Sequence, residues 1–133
     1  MNPVFQEANR WMATRFQWGK KDCLLMLADW VMSQTGCDDP CGDIRGLYSD
    51  VASCQRVTGY VRAPVATTQF YADRAGLSVT IAPKAGDIAV VEVWQPDGPV
   101  QCGALCLGDH WMFRSQEAAV IIMETVEVLR AWS

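Results

Sequence analysis

Cys23 follows Asp22 directly and begins an apolar run, Leu24, Leu25, Met26 and Leu27, that reads as the first turn of a buried helix. Aspartate is among the residues that cap a helix from the position before its first turn. Backbone amides left unpaired in that turn, together with the helix dipole, favour an anion there and ease ionisation of a thiol. Because the thiolate is the form that attacks a carbonyl, the chemistry this placement points to is nucleophilic hydrolysis. The competing reading of the same residue is the first core side chain of an apolar helix. Five further cysteines follow: Cys37, Cys41, Cys54, Cys102 and Cys106. The pairs Cys37-x3-Cys41 and Cys102-x3-Cys106 supply four soft ligands of the kind that hold a metal or an iron–sulfur cluster. That spacing is unspecific: Cys102 and Cys106, four apart on an expected strand, share a face but lie roughly 13 Å apart and argue against a shared site, whereas Cys37 and Cys41 flank a turn over which they can converge. The favoured expectation is no metal site and no cofactor, with a cysteine metal site as the lesser alternative. The start MNPVFQEANRW has neither a basic opening nor an apolar stretch ending in small residues, so no export signal is expected. The cysteines are then expected to be thiols, most of them small buried apolar side chains rather than a disulfide framework.

Several elements must position Cys23. Pro3 opens a first helix, with Phe5, Ala8, Met12 and Phe16 spaced along one face. Gln17-Trp18-Gly19 breaks it, and Asp22 caps a second, mostly buried helix that stops at Gly36. Cys37 to Ser49, rich in Gly, Asp and Pro, reads as an ordered connection with one helical turn at Ile44 to Tyr48. Short helices are expected near Asp50 to Val57 and from Pro64 to Ala75, closed by Gly76. From Leu77 onward β-branched and aromatic residues predict strands at Leu77–Ile81, Ile88–Trp94, Gln101–Leu107, His110–Arg114 and Ala119–Leu129. Pro96-Asp97-Gly98 and Gly108-Asp109 are the turn signals. Helices first and a meander second predict an α+β fold, N-terminal helices packed on a C-terminal antiparallel β-sheet.

Trp18-Gly19-Lys20-Lys21-Asp22-Cys23 before an apolar helix resembles the nucleophile segment of the NlpC-type, papain-like cysteine peptidases of cell-wall turnover. Ala85-Gly86-Asp87-Ile88-Ala89-Val90-Val91 resembles their later Gly-Asp strand start, and Cys102-Gly103-Ala104-Leu105-Cys106-Leu107-Gly108-Asp109 the strand and turn that follow. Gly36, Asp39, Pro40, Arg45, Gly46 and Tyr48 resemble a pattern of a compact branch encoded beside tail genes of long-tailed bacteriophages and gene transfer agents. The resemblance implies a single papain-like domain over 1–133 and Cys23 as nucleophile. It also implies other tail-tip proteins as partners (a hub, a distal tail protein, a tape measure), synthesis in the bacterial host cytoplasm, and residence in the virion tail. The family's general base is a histidine opening the strand before the turn, where this sequence has Gln101 and Cys102. The only histidine, His110, lies beyond the turn, and six strand residues from Gly103 to Gly108 span roughly 20 Å. His110 serves as base only through a shifted alignment or an unusual loop, since a base must come within about 3 Å. The place of the group that orients the base falls near Arg114, which cannot accept an imidazole proton.

The chain of 133 residues is half apolar and one fifth charged, ordinary for one globular domain. Its longest apolar runs, Cys23 to Ala28 and Ala118 to Met123, fall far short of the roughly 20 residues a membrane span needs. With 11 basic and 15 acidic residues, a net charge of −4, there is no basic stripe for phosphates, so nucleic acid is not expected as a partner. Three readings stay open from the sequence. One is a tail-tip or tail-assembly structural protein on a degenerate peptidase scaffold. A second is an active endopeptidase or amidase acting on peptidoglycan through Cys23 during genome entry. The third is a cysteine metal site. Trp18, Trp94, Trp111 and Trp132, near turns or ends, are candidate exposed interface residues.

Overall fold

Val4, Glu7, Ala8 and Trp11 fall at positions i, i+3, i+4 and i+7, and these four form the buried stripe of the first helix, α1 (Pro3–Ala13), in the computed structural model. The structure describes residues 3–114 and 120–133. This corrects the expected face: Phe5 and Met12 are exposed, and Phe16 lies past the helix end, edge-on to Trp18. The physical reason is that the indole of Trp11 offers more apolar surface to bury than Phe5, one residue round the helix from Val4.

The second helix, α2 (Cys23–Thr35), is apolar on most of its circumference, with Cys23 through Ala28, Trp30 and Val31 all buried. A helix of that composition must be covered on several sides. It ends at Gly36, whose φ of 72° is the left-handed conformation glycine tolerates and whose N–H donates to the Met32 carbonyl. The segment 37–50 follows as successive turns, and α3 (Val51–Thr58) starts from an Asp50 cap reciprocated by Ser53. Pro64 opens α4 (Pro64–Arg74). Each of the four helices thus lies where the sequence predicts one, within the usual end uncertainty.

The remaining chain forms β1 (Val79–Thr80), β2 (Ile88–Gln95), β3 (Gly98–Cys106), β4 (Trp111–Arg114), β5 (Val120–Met123) and β6 (Glu127–Trp132). They make one antiparallel six-stranded sheet in the order β1-β6-β2-β3-β4-β5. Two expected strands are corrected. Leu77–Ile81 shortens to two paired residues, because β1 has only the end of β6 beside it. The single strand over Ala119–Leu129 is two, β5 and β6, split around residues 124–126, so that β6 can cross to pair with β2; Ala119 itself lies outside the described residues.

Both faces of the sheet are buried. Ile88, Val90, Leu105, Met112 and Trp132 join α1, α2 and α4 in one core. Ala89, Val91, Cys102, Ala104, Cys106 and Phe113, one residue out of phase, form a second core drawn from strands alone, with Ile121 and Val126 at its margin. A third cluster, around Cys23, Leu25, Cys41, Tyr48, Cys54 and Tyr60, ties α2 to the turns and to α3. Trp111 and Trp132 are buried in these cores, which corrects their expected exposure, whereas Trp94 is exposed and Trp18 half-buried. Trp132 is held because its indole N–H donates to Gln69 Oε1 on α4 at 2.9 Å.

Candidate functional site

Asp22 occupies the helix cap, and all of its acceptor capacity is used. Oδ1 accepts from the backbone N–H of Leu24 (3.1 Å) and Leu25 (2.9 Å); Oδ2 accepts from the Gly19 N–H (2.9 Å) and the Tyr48 hydroxyl (2.7 Å). The carboxylate is buried and solvated by four donors without a cation, the arrangement that lets a charge sit inside a protein. The same segment is stapled from the far side of the turns. Gly46 N–H donates to the Gly19 carbonyl at 2.9 Å, and a side chain at Gly19 would collide with the Tyr48 carbonyl oxygen. Arg45 reaches Asp39 through Nε (2.6 Å) and Asp29 of α2 through Nη2 (2.8 Å). The residues of the quoted pattern from Asp39 to Tyr48 therefore fasten the Trp18–Asp22 segment to α2.

Cys23 sits at the start of α2, as the sequence predicts, yet it is enclosed. Its thiol donates to the Tyr60 hydroxyl at 3.2 Å, and the same oxygen accepts the Gly103 N–H at 2.8 Å. Gly103 lies on β3 just before pairing with β4 begins at Ala104, so its N–H has no strand partner on that side and Tyr60 supplies one. A side chain at Gly103 would come 2.7 Å from Leu27 Cδ1 and 3.3 Å from both the Cys23 carbonyl oxygen and the Tyr60 hydroxyl. Burial pushes the Cys23 thiol far above its ordinary range, the Asp22 carboxylate raises it further, and the Tyr60 contact offsets only part of this. The helix-terminus field expected to favour a thiolate is spent instead on the Asp22 carboxylate, which already occupies the first-turn amides.

His110 is not brought to Cys23. It stands on the turn between β3 and β4, partly exposed, with Nδ1 2.9 Å from Asp109 Oδ1. Its carbonyl accepts the Leu107 N–H at 2.8 Å, one residue past the end of β3 and four residues, about 13 Å of extended chain, beyond Gly103. Gln101, where the resemblance puts the base, shares the Gly103 face but turns outward, its Nε2 donating to Glu92 Oε1 at 3.3 Å; an amide has no basic nitrogen. Arg114 is buried and donates through Nη1 to the Trp11 carbonyl of α1.

All six cysteines are free thiols. Among the described residues no three His, Cys, Asp or Glu side chains converge as a metal cage. Cys102 and Cys106 share the strand-only core, and burial pushes Cys41 and Cys102 each up to about 12. Apart from Cys37, the cysteines are buried, as the small-apolar reading expects. Tyr60 was not legible as part of the site: it lies 37 residues from Cys23 with no motif around it. Gly103 carried a signal, since glycine inside a strand marks a close approach. A cleft of about 190 Å³ between α1 and α2 is lined by Glu7, Arg10, Trp11, Lys21 and Asp29 among others and does not include Cys23.

These features define an α+β domain in which a helix-start cysteine is buried against a tyrosine rather than paired with a base. The chain belongs to a family described as a domain of unknown function, DUF6950, whose model matches residues 3–133. No curated protein and no solved structure gives a significant match. No helix among the described residues is long and apolar enough to cross a membrane.

Proposed function

We propose that this chain is a non-hydrolytic structural protein of a bacteriophage tail tip, or of tail assembly, built on a papain-like scaffold of the NlpC type. The observation that carries the loss of hydrolysis is the contact of the Cys23 thiol with Tyr60 in a buried site, where a peptidase needs an imidazole and room for a carbonyl. A protonated, enclosed thiol lacks both nucleophilicity and access. The tail assignment rests on the resemblance of the Gly36 to Tyr48 pattern, and the role those residues play in fastening loop to helix suits a domain kept for its shape.

Complementation tests both parts. A phage genome with this gene deleted is supplied with the wild-type gene or with Cys23→Ser, and particles are examined for tails, infectivity and release of peptidoglycan fragments. The expected result is defective tails on deletion and full rescue by Cys23→Ser. Normal tails on deletion, with the chain missing from purified particles, overturn the tail assignment. Intact but non-infectious Cys23→Ser particles that have lost peptidoglycan release establish the hydrolase reading instead.

A further inference from the structure

The sheet continues past the helices, and its far end is chemically one-sided. Val90 pairs with Gly103, which meets Leu27 and Tyr60; two residues on, Glu92 and then Trp94 share that face by strand alternation. Glu92 stands opposite Gln101 on one neighbour and opposite Glu127 on the other, and Trp94 stands opposite Pro99. Trp94 is 76% exposed. Like charges directly across a strand pair are unfavourable, and among the described residues no cation pairs with Glu92 or Glu127. The same imbalance runs through the C-terminal part of the sequence. Residues 85–133 carry seven acidic side chains against Arg114 and Arg130, while residues 1–84 carry eight acidic against nine basic. Arg114 is buried against α1, and Arg130, opposite Val90, points its guanidinium to Gln69 of α4 rather than to Glu92 or Glu127.

We propose that this sheet face, centred on Trp94, docks a basic segment of a partner protein. A lysine or arginine of that segment lies over the Glu92–Glu127 row, its stem or guanidinium against the Trp94 indole and Pro99. Charge complementarity selects the occupant: two carboxylates face each other with no ion pair among the described residues, and tryptophan, exposed beside them, is one of the side chains enriched at interface hot spots. Cations on the partner supply the ion pairs that Glu92 and Glu127 do not make within the described residues. The inference deepens the scaffold reading by giving the scaffold a partner of stated chemistry, and its test leaves Cys23 untouched.

The probe is a short peptide of alternating arginine and valine, titrated into the whole protein and followed by NMR of indole and backbone N–H groups, with a glutamate–valine peptide as control. The expected result is saturable, salt-sensitive binding of the basic peptide alone, with shifts at Trp94, Glu92, Gln101 and Glu127. Affinity falls about tenfold or more in Trp94→Ala and in the Glu92→Gln, Glu127→Gln double variant. A second signature separates docking from a general loss of structure: Glu127→Lys abolishes peptide binding while raising Tm, because it converts a like-charge neighbour into an ion pair. No binding, equal affinity in the variants, shifts that map elsewhere, or a Tm lowered by Glu127→Lys would each overturn the proposal. Self-association of the free protein that disappears in Trp94→Ala would show a second copy on this face and overturn the separate partner.

Discussion

Tyr60 accepts from two donors at once, and its two truncations separate the donors' contributions. Tyr60→Phe strands the buried Gly103 N–H, a loss expected to cost about 1–3 kcal/mol in chemical denaturation. It does not make Cys23 more reactive, because the hydroxyl is an influence that lowers the thiol pKa and its removal leaves burial in command. Tyr60→Ala adds a cavity for a total of about 3–5 kcal/mol and opens a path to the thiol, so iodoacetamide alkylation of Cys23 accelerates there and not in the phenylalanine variant. Equal acceleration in both would mean the hydroxyl, rather than the ring's bulk, protects the thiol. Asp22 and Cys23 were legible because capping and nucleophile placement are local in sequence. Tyr60 was not, because nothing near residue 60 reveals that its hydroxyl ends beside a strand on the other side of the core.

At the scale of elements, α2 and β3 approach through Gly103. Gly103→Ala sets a methyl 2.7 Å from Leu27 Cδ1 and 3.3 Å from the Cys23 carbonyl, so the buried Leu27 side chain must repack, with an expected loss of about 1–3 kcal/mol of stability in denaturant titration. The turns after α2 depend on Arg45, whose fork joins Asp39 to Asp29 in a half-buried pair of ion pairs. Arg45→Ala is expected to cost about 1 kcal/mol, more in low salt than in high, and Arg45→Lys to recover only part of it, since a single ammonium cannot span both carboxylates in the same geometry. A loss independent of salt would point to packing of the arginine stem instead. Helix positions were legible because capping residues, prolines and glycines punctuate this chain clearly. The buried side of α1 was not, since two apolar spacings compete and only tertiary packing selects Val4 and Trp11. The break between β5 and β6 was hidden because Val120 to Leu129 carries no glycine or proline to mark it.

For the molecule as a whole, the buried thiols make alkaline pH the weak side. Cys23, Cys41 and Cys102 all have folded-state values raised above 9.0 by burial, so the native state holds protons that the unfolded chain releases. Their stabilising contribution is complete below pH 9 and is lost as pH rises toward about 12, each thiol adding a slope of about 1.4 kcal/mol per pH unit over that window. Unfolding by base is therefore expected well before pH 12, and Cys102→Ala should make the decline shallower; an unchanged slope would mean the thiols titrate alike in both states. The α+β class and the antiparallel sheet were legible from the switch in hydrophobic period, whereas burial of both sheet faces was not, because alanine and cysteine in alternate positions look neutral in sequence. The strand order carries one last consequence. β6, the final strand along the chain, lies between β1 and β2, so a nascent chain leaving the ribosome has every helix and the β2–β3 hairpin before it can fill that slot. Until residues 127–132 emerge, β2 presents an open, apolar edge, and neighbouring nascent chains on one message are its nearest competitors for pairing.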